Sequence, residues 1–244
     1  MSIPLPTGWK RRSAEGLVEL VLETNVRFKF VGAELDTRPP SEAAAKRLID
    51  AYEAGDAPPW LTAYLLGCVG HEVGYGTVRA ILLAAPRMLA ESYAGPALAK
   101  IRGSGAHDDL VHLTMESPAR RSREGAAYGL AHLGTGEAAT AIINAAVSGA
   151  IGYQLGGVLI DLPVGAERIA ELLDAEERGR RVAIEYLTGL IQRAAGQGLG
   201  SPEAAERLAA NRGYWLAAVQ RLFADEDFRM APRQRASLTQ WVSE

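Results

Sequence analysis

The sequence predicts an all-α chain, and three observations carry that prediction. Apolar residues recur at three- and four-residue spacings through most of the 244 residues, the pattern of helices that bury one face. Proline and capping residues stand before these runs, at Pro39-Pro40-Ser41, Pro58-Pro59, Gly95-Pro96, Ser117-Pro118, Ser201-Pro202 and Ala231-Pro232. There a missing amide costs nothing, because first-turn amides have no intrahelical acceptor. Glycine follows the runs, at Gly55, Gly103, Gly134, Gly149, Gly165, Gly196 and Gly213, where a left-handed residue ends a helix.

In chain order these signals place the first helix at 13–31, and VRFKFV (Val26 to Val31) is assigned to its end because a lone strand would have no partner. Ser41 opens 41–54 and Gly55 closes it; Pro58-Pro59 opens the apolar run 58–70. Periodic segments follow at 75–90, at 95–102 behind Gly95-Pro96, and at 106–116. A helix pair spans 118–133 and 136–148 around Gly134-Thr135-Gly136: Ala126, Leu130 and Leu133 share one face, and Ala138, Ala141, Ile142 and Ala145 another. The rest of the chain reads as helices at 152–161, 165–175, 176–195, 201–211, 213–224 and 232–242.

Composition narrows the function classes. With 48% apolar and 23% charged residues the chain can bury a substantial core. Its formal charge of -3, from 26 basic and 29 acidic side chains, lacks the basic excess of a phosphate-tracking protein, so nucleic acid is not an expected partner. The single cysteine, Cys68, lies in the apolar run WLTAYLLGCVG and reads as a buried thiol, which suits a reducing cytoplasm. The start, MSIPLPTGWKRRSAEG, has its basic cluster after two prolines and no apolar run behind it, the wrong order for a secretory signal. Ala138 to Ile160 is uncharged and long enough to span a bilayer, but Asn144, Ser148, Gln154 and the Gly149 break read better as two short buried helices, and no membrane partner is expected. An alanine- and arginine-rich wording points to a GC-rich bacterial genome.

Arg178 to Leu190, RGRRVAIEYLTGL, echoes Arg121 to Leu133, RSREGAAYGLAHL, at an offset of 57, matching Arg123 with Arg180, Ala126 with Ala183, Leu130 with Leu187 and Leu133 with Leu190. That is two units of about 28–30 residues. With its basic start, small residues, Leu-x-x-Leu-Gly ending, short turn and Ala/Ile-rich second helix, Ala119 to Gly149 resembles HEAT and HEAT-like repeats, and Asp174 to Arg212 does so less fully. The family's Asp-Pro turn is replaced by Thr135-Gly136. The resemblance implies a HEAT-like α-solenoid of about six helix pairs: residues 1–40 as capping helix and linker and 41–244 as the repeat domain, the two forming one continuous domain. It implies a scaffold that binds another protein in its concave groove. Two other readings stay open: a HEAT-like DNA-repair glycosylase or a lyase-type enzyme, and an immunity or inhibitor protein for a basic partner.

No residue is assigned a catalytic role and no cofactor is expected. Asp108, His112 and Glu116, at i, i+4 and i+8, line one helix face and form the only metal-ligand pattern, with no second cluster to complete it. The glycine-rich Gly70-His71-Glu72-Val73-Gly74-Tyr75-Gly76 lacks the Gly-Lys-Ser/Thr end of a phosphate loop, and Cys68 with His71 lacks an orienting third group. The tryptophans Trp9, Trp60, Trp215 and Trp241 are scattered along the sequence. Second helices of the pairs carry mostly carboxylates, several of them in first turns where they stabilise exposed amides. Glu116, Glu171, Asp174 and Glu206 lie away from helix starts and are expected to contact the basic surface of a partner.

Overall fold

A computed structural model describes residues 5–24, 27–84, 88–196 and 202–243, with 88–91 described by backbone alone. Among these it is all-helical, with fourteen α-helices, several 3₁₀ segments and no strand. The chain divides into two compact units, 1–133 and 134–244. The sequence reading takes 1–40 as a capping segment continuous with a single domain from 41 to 244; by its contacts the chain divides at the Gly134 turn, with 1–40 inside the first unit.

The first unit comprises α1 (Ala14–Glu23), α2 (Phe28–Leu35), α3 (Glu42–Glu53), α4 (Pro59–Val69), α5 (Tyr75–Ala84), α6 (Met88–Arg102), α7 (His107–Glu116) and α8 (Arg120–Leu133). Ser13 and Ser41 cap α1 and α3 by accepting from the amides of Gly16 and Ala44. The even-numbered helices form a row, α2 on α4, α4 on α6 and α6 on α8, while α1 packs on α3. Leu48, Leu65, Leu66, Leu98, Leu110 and Leu130 are fully buried between them. The α6–α8 crossing depends on glycine: a Cβ at Gly95 would lie 1.8 Å from the Gly125 carbonyl oxygen, and one at Gly129 would lie 2.6 Å from the Gly95 carbonyl oxygen. Both backbones therefore approach more closely than any side chain would allow.

The second unit comprises α9 (Gly136–Ser148), a 3₁₀ run (Tyr153–Asp161), α10 (Ala166–Leu173), α11 (Glu177–Ala194), α12 (Pro202–Ala210), α13 (Arg212–Ala224) and α14 (Pro232–Ser243). Helix α11 is its centre: the 3₁₀ run, α9, α10, α12 and α14 all pack on it. Val182, Ala183, Tyr186, Leu187 and Leu190 face inward. Trp215 is buried with its indole N–H donating to the Ala166 carbonyl at 2.9 Å, as a buried indole requires.

Several boundaries differ from the sequence reading. The first helix stops at Glu23, and Phe28 to Val31 opens α2 instead of ending α1. Pro96 lies inside α6. Burial of Ala94, Ala97 and Leu98 overrides a break that costs about 3 kcal/mol in an isolated helix. Residues 153–161 form a 3₁₀ run, not an α-helix; Gly156 lets it lie against α11, where a Cβ would sit 2.6 Å from the Val182 carbonyl oxygen. Gly165 precedes α10 as its N-cap and Gly213 lies inside α13, so neither ends a helix. Val26, residues 85–87, Gln197, Gly198 and Ser201 lie outside the described residues. The uncharged stretch Ala138 to Ile160 is divided by Gly149 at φ 90°, and among the described residues no helix is long and apolar enough to cross a membrane.

Candidate functional site

The four carboxylates expected to contact a partner do not share one setting. Glu116 ends α7 in the first unit, exposed, while Glu171, Asp174 and Glu206 belong to the second. Glu171 accepts from Arg168 one turn away at 2.9 Å, and Asp174 takes a paired contact from Arg221 of α13, at 3.1 and 2.6 Å. Glu116 and Glu206 have no ion-pair partner among the described residues.

The arginines explain this distribution. Residues 1–133 hold fifteen cationic and fifteen anionic side chains, whereas residues 134–244 hold eleven arginines, no lysine and fourteen carboxylates, so the whole excess of negative charge lies in the second unit. Eight of those arginines are engaged inside that unit. Arg168, Arg180, Arg181, Arg193 and Arg221 pair with Glu171, Asp225, Glu177, Asp161 and Asp174. Arg178 donates to the carbonyls of Ala146 and Ile151, Arg207 to that of Ile160, and Arg212 to those of Trp241 and Val242. Guanidinium groups suit this work because their planar donors satisfy carbonyls at helix ends. The Arg193 contact holds the Asp161 carboxyl below its usual range, and Arg180 does the same for Asp225. Glu167, Glu176, Glu206, Glu226 and Asp227 are left exposed without an ion pair among the described residues.

The same holds for arginines at the start of α8: Arg120 bonds Glu124 and Arg123 donates to the Ser117 carbonyl, while Arg121 is exposed. Asp108, His112 and Glu116 do not converge. Among the described residues no three His, Cys, Asp or Glu side chains come together as a metal ion requires, and Asp108 turns to the neighbouring His107 ring. The glycine-rich loop serves the fold: His71 accepts from the Val73 amide, Glu72 pairs with Arg102, and the Arg102 guanidinium lies 3.5 Å from the Tyr75 ring centroid. Tyr75 donates to Asp109, which also accepts from Arg79. Burial draws the Asp109 carboxyl up, but these two donors outweigh it and hold it below its ordinary value. Cys68 is buried, and burial pushes its thiol up to about 12, so it stays protonated and is no nucleophile at neutral pH.

Two features escaped the sequence reading. Phe28, Trp60, Tyr64 and Tyr93 meet as a closed ring of contacts between α2, α4 and α6, with centroids 5.1 to 6.3 Å apart. The i, i+4 spacing of Trp60 and Tyr64 was the available signal. A cleft of about 480 Å³ opens among α11, α12, α13 and α14, lined by Ile191, Leu208, Trp241 and alanines with Arg212 at its edge; residues so far apart in sequence leave no local signal. No family model matches this chain, and no curated protein or solved structure matches it.

Proposed function

We propose that this protein is a helical binding scaffold of HEAT-like repeats, and that its second unit presents a negatively charged surface to a basic partner protein. The observation that carries the reading is the fate of the arginines in residues 134–244. Five pair with carboxylates, but Arg178, Arg207 and Arg212 bind neutral carbonyls, and Arg229, Arg233 and Arg235 make no ion pair among the described residues. The unit therefore keeps the net excess of three negative charges that fourteen carboxylates hold over eleven arginines, with Glu167, Glu176, Glu206, Glu226 and Asp227 among its exposed unpaired carboxylates. Such a surface raises encounter rates with an oppositely charged protein and repels polyphosphate. The row of alternate helices α2, α4, α6 and α8 supports the repeat reading, because stacked helix pairs bury the faces that each pair leaves open. Glu171 and Asp174 already make exposed ion pairs within the second unit, so the contact role there rests more on Glu206 and Glu167.

The test is capture of partners from the native host on the full chain, with the double variant Glu167→Lys, Glu206→Lys and the control Arg121→Glu alongside. Support would be a stoichiometric protein of basic charge, retained by the control and released by the double variant. An acidic partner, or one retained equally by all three baits, would contradict the reading.

A further inference from the structure

We propose that the N-terminal face of the first unit, built from the turn Trp9–Arg11 with Arg12 and from the start of α2, rests on an anionic lipid surface. This surface belongs to the first unit and is opposite in sign to the acidic one of the second. Three carboxylates of this region are already answered by cations: Glu19 by Arg47, Asp36 by Lys100, and Glu34 by Arg38 and Lys10. Glu15 is held by Ser13 and Ser41, and Glu23 is exposed. Against these two stand Arg11, Arg12, Arg27 and Lys29, all exposed and without an ion pair among the described residues.

Phe30 lies on α2 just after Arg27 and Lys29 and, at 55%, is the most exposed large apolar side chain of the described residues. The Arg27 guanidinium carbon lies 5.9 Å from its ring centroid. Phe30 and Glu34 stand one helical turn apart on α2, and the basic turn meets that helix there: Lys10 reaches Glu34 at 3.9 Å, and Arg38 donates to the Lys10 carbonyl at 2.7 Å. Trp9, half-buried beside Lys10, adds a second aromatic ring. The chemistry selects the occupant. An acidic peptide or a nucleic-acid duplex answers the cations but offers Phe30 no apolar medium, whereas an anionic bilayer interface offers phosphate or carboxylate headgroups and acyl chains at the same depth. This is a peripheral contact and needs no membrane-crossing helix.

The experiment is sedimentation of the full chain with vesicles of phosphatidylcholine containing about 30 mol% phosphatidylserine, against pure phosphatidylcholine, at low salt and at about 0.5 M salt. Binding is expected to the anionic vesicles alone and to be lost at high salt. Phe30→Ala should lower partitioning about tenfold by removing the inserted ring, and the double reversal Arg11→Glu, Arg12→Glu should lower it at least about tenfold. Arg121→Glu on α8 should leave it unchanged, and far-ultraviolet circular dichroism should show each variant folded. Equal binding to neutral vesicles, no binding to anionic ones, indifference to Phe30→Ala or to the double reversal, or tighter binding to duplex DNA or polyglutamate at the same salt would overturn the proposal.

Discussion

Replacing Gly95 by alanine should destabilise the first unit, although the same change inside an ordinary helix stabilises it by about 0.5–1 kcal/mol. The new methyl carbon would lie 1.8 Å from the Gly125 carbonyl oxygen, 2.7 Å from its carbon and 2.9 Å from the Gly129 nitrogen. A carbon–oxygen contact relaxes at roughly 3.3 Å or more, so α6 and α8 must part by more than an ångström, and no flexible side chain can give way because the obstacles are backbone. Overpacking of this kind costs typically about 1–3 kcal/mol, and parting the helices also loosens Leu98, Leu110 and Leu130. Set against the propensity gain, the net loss should be about 1 kcal/mol. Gly76, in α5 with open space where its Cβ would stand, is the internal control: Gly76→Ala should be neutral or raise stability by up to about 1 kcal/mol. Urea titration followed by circular dichroism reads both variants in the same unit. If Gly95→Ala raised the midpoint as Gly76→Ala does, the close α6–α8 crossing would be refuted.

Three further outcomes follow from the same geometry. Leu130→Ala, at a fully buried position, should cost about 2–5 kcal/mol in the same titration through the cavity it leaves, and an unchanged midpoint would place that face of α8 wrongly. Burial raises the Glu185 carboxyl above its ordinary value despite the hydrogen bond from Gln234; the folded state then binds more protons, so stability falls as pH rises through this range. Glu185→Gln should therefore raise the melting temperature at pH 8 and give no gain near pH 4, and the opposite order would contradict the buried setting. Cys68, with its thiol pushed up to about 12, should resist alkylation at pH 8 in the folded chain and react promptly in denaturant; rapid labelling without denaturant would show the thiol exposed.

The helices were legible because their signals are local. Ser41 caps α3 as its position suggested, Ser13 and Thr135 cap α1 and α9 in the same way, and Gly55, Gly103, Gly134, Gly149 and Gly196 adopt positive φ at helix ends. Where sequence and structure part, tertiary packing decides. Pro96 stays helical between α4 and α8, and Gly156-Gly157 tightens a stretch of helical period into a 3₁₀ run. The charge pattern was legible only as composition. That Asp174 meets Arg221, 47 residues on, and that Arg178 serves carbonyls of Ala146 and Ile151, could not be read from spacing. Those pairings nonetheless determine which carboxylates remain without an ion pair among the described residues.

The most direct test of the central claim is the association rate of the captured partner, measured at two ionic strengths for the wild type and for Glu167→Lys, Glu206→Lys. Opposite charges across an interface act chiefly on encounter and are screened by salt. The wild type should associate faster at low salt, and the double variant should associate more slowly with a flatter salt dependence, while Arg121→Glu behaves as wild type. Identical rates and salt slopes for the double variant and the control would contradict an acidic binding surface on the second unit.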